Sequence, residues 1–204
     1  MLMDNVLIVK APILGQGKWN EKVKALEKFK ERCEELPFVL ETTSSTTIAS
    51  EEYRNETYLG FQDGKDGVVV HQNGVDAQYF DLYDVEFIAG SNFSPDARFK
   101  NRRSIILNES AVRSLGVYDF EGAINSKIFD EETDEVYNLI GIIKDYHKTS
   151  LKYEIGPSAF KFNLVRGHIS LKISELSTTP NQFNEQLSAI QQIWEQVYQD
   201  APFN

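Results

Sequence analysis

Asn5-Val-Leu-Ile-Val-Lys-Ala-Pro12 is a short, mostly apolar, β-branched run stopped by proline. It reads as a buried strand. Gly15 and Gly17 then break the chain ahead of a helical pattern. Trp19, Val23, Leu26, Phe29, Cys33 and Leu36 recur every three or four residues there, with Glu and Lys between them. Pro37 stops this helix, because its ring disfavours helical geometry in the residue before it. Phe38 to Ile48, rich in Val and Thr, follows as a second strand. The chain therefore opens as a β-α-β unit.

The far end carries a related pattern. Ala159 to Leu164 and Ile169 to Ile173 alternate in the two-residue period of half-buried strands. Thr179 and Gln182 then make a capping box, with Pro180 in the first helical position. Phe183, Leu187, Ile190, Trp194 and Val197 form one apolar stripe, predicting a closing helix.

Between the ends lies a mixed block. Ser50 to Asp66 is polar, with a turn signal at Asp63 to Gly67. Val68 to Gln72 and Val85 to Ala89 read as strands, separated by a short helix, Ala77 to Tyr83, that Asp76 can cap. Ser91 to Arg103 reads as an exposed loop. Ser104 to Leu107 is a strand, Asn108 is placed to cap a helix from Glu109 to Leu115, and Gly116 closes that helix. Val136 to Lys144 is a further strand. The fold class expected is α+β, with the two ends packed into one sheet and the central block inserted as a second lobe.

Composition narrows the function. Lys and Arg number 21 against 31 Asp and Glu, a net charge of −10. Such a field repels phosphate backbones, and no basic cluster longer than Lys100 to Arg103 interrupts it, so nucleic acid is not the expected partner. Cys33 is the only cysteine, so neither an internal disulfide nor a thiolate metal cluster can form within one chain. No apolar run approaches the roughly 20 residues a spanning helix needs.

The central block carries three ordered motifs. They are Gly74-Val-Asp76-Ala-Gln-Tyr79-Phe80 leading to Ala89-Gly90-Ser-Asn-Phe93-Ser94; Ile105-Ile-Leu-Asn108-Glu109-Ser-Ala111 with Leu115-Gly116; and Ile140-Gly141-Ile-Ile-Lys-Asp145-Tyr146-His147 with Ser150-Leu151 and Pro157. In order and spacing this resembles the periplasmic core domain of MacB/FtsX-type ABC transporter permeases, over Gly74 to Pro157. Ser91 departs from that pattern, where arginine is usual after the glycine. No motif of the family's ATPase subunit is present, and nothing resembles a P-loop.

The resemblance implies a porter-like α/β lobe built from residues 1–55 and 165–204, and an inserted β-rich, sabre-like lobe of residues 56–164. It implies a periplasmic domain of an inner-membrane protein, with one membrane helix before residue 1 and three after residue 204. It also implies a non-catalytic role, relaying ATP-driven movement to periplasmic substrates. The partners would be an ABC ATPase subunit, reached through the membrane part, and a periplasmic adaptor or a substrate protein or peptide. The full transporter would be a homodimer or heterodimer, the isolated domain a monomer, with no cofactor. The alternative reading is a free-standing soluble ligand-binding protein. A hydrolase using paired carboxylates is the weakest reading, since the sequence supplies acids without pairing them.

Single residues carry little chemistry. Asp145 and His147 could form an acid/base pair, but no nucleophile motif accompanies them, so a structural role is expected. Asp130-Glu-Glu-Thr-Asp134-Glu135 offers oxygen ligands for calcium, but lacks the EF-hand order of glycine and bidentate Glu, and reads as a solvated acidic turn. His71 and His168 sit in strands with no neighbour at metal-ligand spacing. Trp19 and the Phe183-to-Val197 stripe read as core, Cys33 as a small buried hydrophobe. Tyr79, Phe80 and Tyr83 are expected to pack between lobes. No catalytic, cofactor-binding or metal residue is assigned.

Overall fold

A computed structural model describes residues 5–12, 19–48, 55–61, 67–95, 101–146, 156–163, 167–174, 180–198 and 201–203. The strands are β1 (Val6–Lys10), β2 (Val39–Ser45), β3 (Glu56–Phe61), β4 (Val68–Val75), β5 (Phe87–Gly90), β6 (Ser104–Asn108), β7 (Lys127–Asp130), β8 (Glu135–Ile143), β9 (Ser158–Phe162) and β10 (His168–Ile173). The helices are α1 (Trp19–Glu34), α2 (Tyr79–Leu82), α3 (Glu109–Ser114), α4 (Phe120–Ala123) and α5 (Pro180–Val197). The fold is α+β with strands dominant.

The two chain ends build one antiparallel sheet, β1-β10-β2. Val9 sits opposite Ile169 and Thr43 opposite Ser170, with β10 in the middle. Because β1 and β2 flank β10, helix α1 must cross over the sheet, and α5 lies beside it on the same face. Phe29 and Cys33 of α1 meet Ile190, Ile193 and Trp194 of α5 and Ile169 and Leu171 of β10 in a shared apolar core. The Phe29 and Trp194 rings stand edge to face at 5.3 Å, the geometry their quadrupoles favour. Asn5 lies at the end of this sheet where β2 begins, Ile173 N–H donating to Asn5 O and Ile173 facing Val39; the end of α5 reaches the same side, Gln196 bonding Arg32 near the end of α1, and Phe203 meets Trp194 edge to face.

The central block closes on itself. β3 pairs with β4, β4 with β9, β9 with β6, β6 with β8, β8 with β7, and β7 with β3. The result is a ring of six strands, which leaves none of these strands with a bare edge along its paired stretch. Leu59, Val70, Ile105, Leu107, Ile128, Leu139 and Ala159 fill a core that α3 joins through Ala111, Val112 and Leu115. A third core lies between the ring wall and α2, where Tyr79 and Phe80 pack on Ile106, Ile143 and Phe160.

The sequence reading needs four corrections. β3 falls inside the stretch 50–66 read as polar connection, because Thr57 is buried and hydrogen-bonded to Asp130 while Leu59 points into the ring. β7 and α4 were not expected; both are four residues long, too short to show a period. Asp76 does not cap α2. The helix starts at Tyr79 with no side-chain cap, and the Asp76 carboxylate is bonded elsewhere. Trp19 is 43 % exposed and is not core. The Thr179 capping box lies outside the described residues; Asn108 does cap α3, accepting from Ala111 N–H at 3.0 Å.

Candidate functional site

Three constellations hold the motif residues in place, and each begins from a residue whose neighbours in sequence give no hint of its partners. Asn108 ends β6 in extended geometry, so its side chain turns back over the first turn of α3. Its Oδ1 accepts from Ala111 N–H at 3.0 Å and Ser158 N–H at 2.7 Å, and its Nδ2 donates to Asp145 at 2.7 Å and to Gly156 O at 3.1 Å. Asp145 also accepts from Ser110, through the backbone N–H at 3.1 Å and the hydroxyl at 2.5 Å. An acid there favours the positive end of the helix. The aspartate is thus committed to the α3 turn. His147, its expected imidazole partner, lies outside the described residues.

A second join sits one strand away. Gly90 faces Gly141 across the β5–β8 pair. Gly90 has φ +70°, and a Cβ there would fall 2.2 Å from Ile140 O; a Cβ on Gly141 would fall 2.5 Å from Ser91 O. Both glycines serve a backbone approach that no side chain permits.

The third constellation centres on Asp76, which is 1 % exposed at the end of β4. Its carboxylate accepts from Ser44 N–H at 2.8 Å, Ser44 Oγ at 3.0 Å, Thr43 Oγ1, and Lys30 Nζ at 2.6 Å. It ties the inserted block to α1 and β2 at once. A buried charge so enclosed is costly to desolvate and tolerable only with its partners in place. Above it lies an open groove of about 230 Å³. Leu26, Lys30 and Glu31 of α1, Ser44 of β2, Gln78 and Phe162 line it.

The remaining candidates are engaged in packing or pairing. Asp130 is wholly buried and binds Lys161, Thr57 at 2.6 Å and the amide of Glu132 at 3.0 Å inside the β7–β8 turn. Its oxygens are spent on holding that turn. His71 Nδ1 lies 3.5 Å from Glu56, and His168 sits opposite Lys10 and Ser45 in the terminal sheet. Tyr83 reaches across to Ser170, hydroxyl to hydroxyl, at 2.8 Å, which puts the α2 aromatics against the sheet made by the chain ends. Burial pushes the Cys33 thiol up to about 12. Among the described residues no group of three or more His, Cys, Asp or Glu could hold a metal ion, and no helix is long and apolar enough to cross a membrane.

Sequence reasoning found Asn108 as a cap but not as a hub, and misread Asp76. The signal it lacked was distance: Asp76 lies 46 residues from Lys30, and Asn108 lies 50 from Ser158.

No family model matches the chain, and no curated protein does. Solved structures do. The periplasmic region of MacB from Actinobacillus actinomycetemcomitans is similar at TM-score 0.63 and 12 % identity, over 98 % of this chain and 87 % of that one. The extracellular domain of the noncanonic ABC-type transporter YknZ from Gram-positive bacteria is similar at TM-score 0.62 and 9 % identity, over 98 % of both chains. A permease-protein domain from Porphyromonas gingivalis is similar at TM-score 0.59 and 16 % identity, over 98 % of this chain and 88 % of that one. The chain has the fold of these domains.

Proposed function

We propose that this chain is the extracytoplasmic domain of a MacB/FtsX-type ABC transporter permease, a non-catalytic part that relays ATP-driven movement to substrates or partner proteins outside the membrane. The observation that carries the reading is coverage: the likeness takes in 98 % of this chain and 98 % of the YknZ domain, so it spans the whole fold and not one motif. The ordered motifs support it from the sequence side. So does the position of the described ends, Asn5 and Phe203, at one end of the terminal sheet, where neighbouring membrane helices could receive both.

The reading divides the chain into a porter-like lobe, residues 1–55 and 165–204, and an inserted β-rich lobe, residues 56–164. The core around Phe29 and Trp194 draws only on the first set, and the core inside the strand ring only on the second. The partners would be an ATPase subunit, through the membrane part, and a periplasmic adaptor or substrate peptide. The isolated domain would be monomeric.

A free-standing ligand-binding protein is the second reading, and the groove beside Asp76 is the observation in its favour. At about 230 Å³ and open to one side, it falls below the roughly 300–1,000 Å³ of ordinary ligand pockets.

The coding sequence on either side of this chain separates the two. An apolar segment of about 20 residues upstream and three downstream, beside an ATPase gene, is the expected result. A signal peptide before and a stop directly after would replace the permease with the binding protein.

A further inference from the structure

The boundary between the terminal sheet and the inserted block is built unlike the cores on either side of it. β2 and β4 touch through a single register pair, Ser45 opposite Val75, whereas β10 and β2 pair from His168 to Ile173. Around that pair polar side chains predominate among the buried ones: Thr43, Ser44, Ser45 and Thr47 on one side, Asn73 and Asp76 beside the apolar Val75 and Ala77 on the other. Thr46 and Asn73 complete the link, with Thr46 Oγ1 donating to Asn73 Oδ1 at 2.8 Å and accepting from Gly74 N–H at 2.8 Å.

Two buried atoms at this boundary have no hydrogen-bond partner among the described residues, Asn73 Nδ2 and Thr47 Oγ1. The Asn73 amide cannot simply be turned round, because its Oδ1 accepts from Thr47 N–H at 3.2 Å as well as from Thr46. Each unpaired group carries a desolvation cost that contact with water would refund. The Asp76 charge behaves likewise: dry, it needs Lys30, Thr43 and Ser44; wet, it needs none of them. The groove of about 230 Å³ opens at the same place, lined by Lys30 and Ser44 from the terminal part and Asp76 and Gln78 from the inserted block. Among the described residues, Tyr83 against Ser170 and Val6 of β1 against the aromatic core around α2 add apolar contact to this boundary.

We propose that this boundary is a seam that opens as a unit, letting the inserted block swing away from the terminal sheet while both keep their own cores. Parting an apolar core loses roughly 25 cal/mol for each Å² exposed. Parting the seam instead trades internal hydrogen bonds for bonds to water and hydrates Asp76, so it is the cheapest way to divide the molecule. The Lys30–Asp76 pair acts as the latch, because it joins α1 to the end of β4 directly. The inference rests on the division into two lobes and not on the transporter role.

Native-state hydrogen exchange, read residue by residue in low denaturant, tests it. The amides of Thr46, Asp76 and Gly74 bond across the seam; those of Leu107 and Leu171 lie in the two cores. The expected result is that the three seam amides exchange together, through an opening with a smaller denaturant dependence than that of Leu107 and Leu171. In Lys30→Met their protection should fall by at least about tenfold, with that of Leu107 and Leu171 lowered by less. Seam amides that exchange only with the cores, at the same rate and slope in the unmodified chain, would overturn the seam and leave the permease reading standing. Loss of protection at all five sites in Lys30→Met would make the latch part of global stability, and would equally overturn it.

Discussion

Asn108 donates from Nδ2 to the Asp145 carboxylate at 2.7 Å, joining the helix that follows β6 to the segment that leaves β8, 37 residues further on. These two residues belong to two of the motifs by which the chain resembles MacB-type permeases. Gly90 and Gly141, from the first and third motifs, likewise face each other. The motif residues are joints of the fold. This explains how a sequence pattern can identify an architecture while saying nothing about a substrate.

Asn108→Ala removes a helix cap together with the Asn108 contacts to Ser158 N–H, Gly156 O and Asp145. A loss of about 2–4 kcal/mol is expected from urea denaturation, at unchanged slope. Ser110→Ala, which removes one of two Ser110 contacts to Asp145, should cost about 1 kcal/mol. A loss below that for Asn108→Ala would show that the hub contributes no more than an ordinary cap.

Two glycines with left-handed backbone should respond differently to alanine. Gly116, at φ +79°, has no atom within 4 Å of a would-be Cβ, so Gly116→Ala pays only the conformational cost, about 1–2 kcal/mol. Gly90, at φ +70°, would also drive a Cβ to 2.2 Å from Ile140 O. Gly90→Ala should therefore lower Tm well beyond Gly116→Ala. Equal shifts would mean that the β5–β8 approach relaxes freely.

Asp130 links stability to pH. Burial alone would raise its pKa, but the hydrogen bonds from Lys161 and Thr57, with the Lys161 charge, outweigh burial and hold it below the usual 3.8. The unfolded chain then takes up the proton first as pH falls. The stabilisation from Asp130 is complete above about pH 4 and is lost as pH drops through the folded pKa. Denaturation midpoints of the unmodified chain and Asp130→Asn should differ at pH 6 and converge toward pH 2. A constant difference would refute the linkage.

Cys33 is wholly buried against α5, and burial pushes its thiol up to about 12, so almost no thiolate exists at neutral pH. Ellman's reagent should label it only through unfolding, at a rate that rises with urea. Rapid labelling of the native chain would mean that α1 and α5 separate readily.

The apolar periods carried much of the secondary structure. Val6 to Lys10, the stripe from Val23 to Cys33, the Asn108 cap with Gly116, and the run from Ile190 to Trp194 each follow from local spacing, which depends only on neighbours a turn or a pleat apart. β3 escaped because Thr57 reads as surface until Asp130 is placed beside it. Lys127-Ile-Phe-Asp130 escaped because four residues with charged ends carry no period.

The sequence by itself determined that the chain opens and closes with helices amphipathic against strands, that its middle is β-rich, and that its acidic, single-cysteine composition argues against nucleic-acid binding and disulfide chemistry. Only the tertiary structure decided that β10 enters between β1 and β2, that six strands close into a ring, and that Asp76 turns away from the helix that follows it to Thr43, Ser44 and Lys30. The reason is one of range. Periodicity is fixed by steric and solvation forces acting within a turn or a strand, whereas a buried carboxylate takes whichever donors the packed chain delivers, here from residues more than 30 positions away.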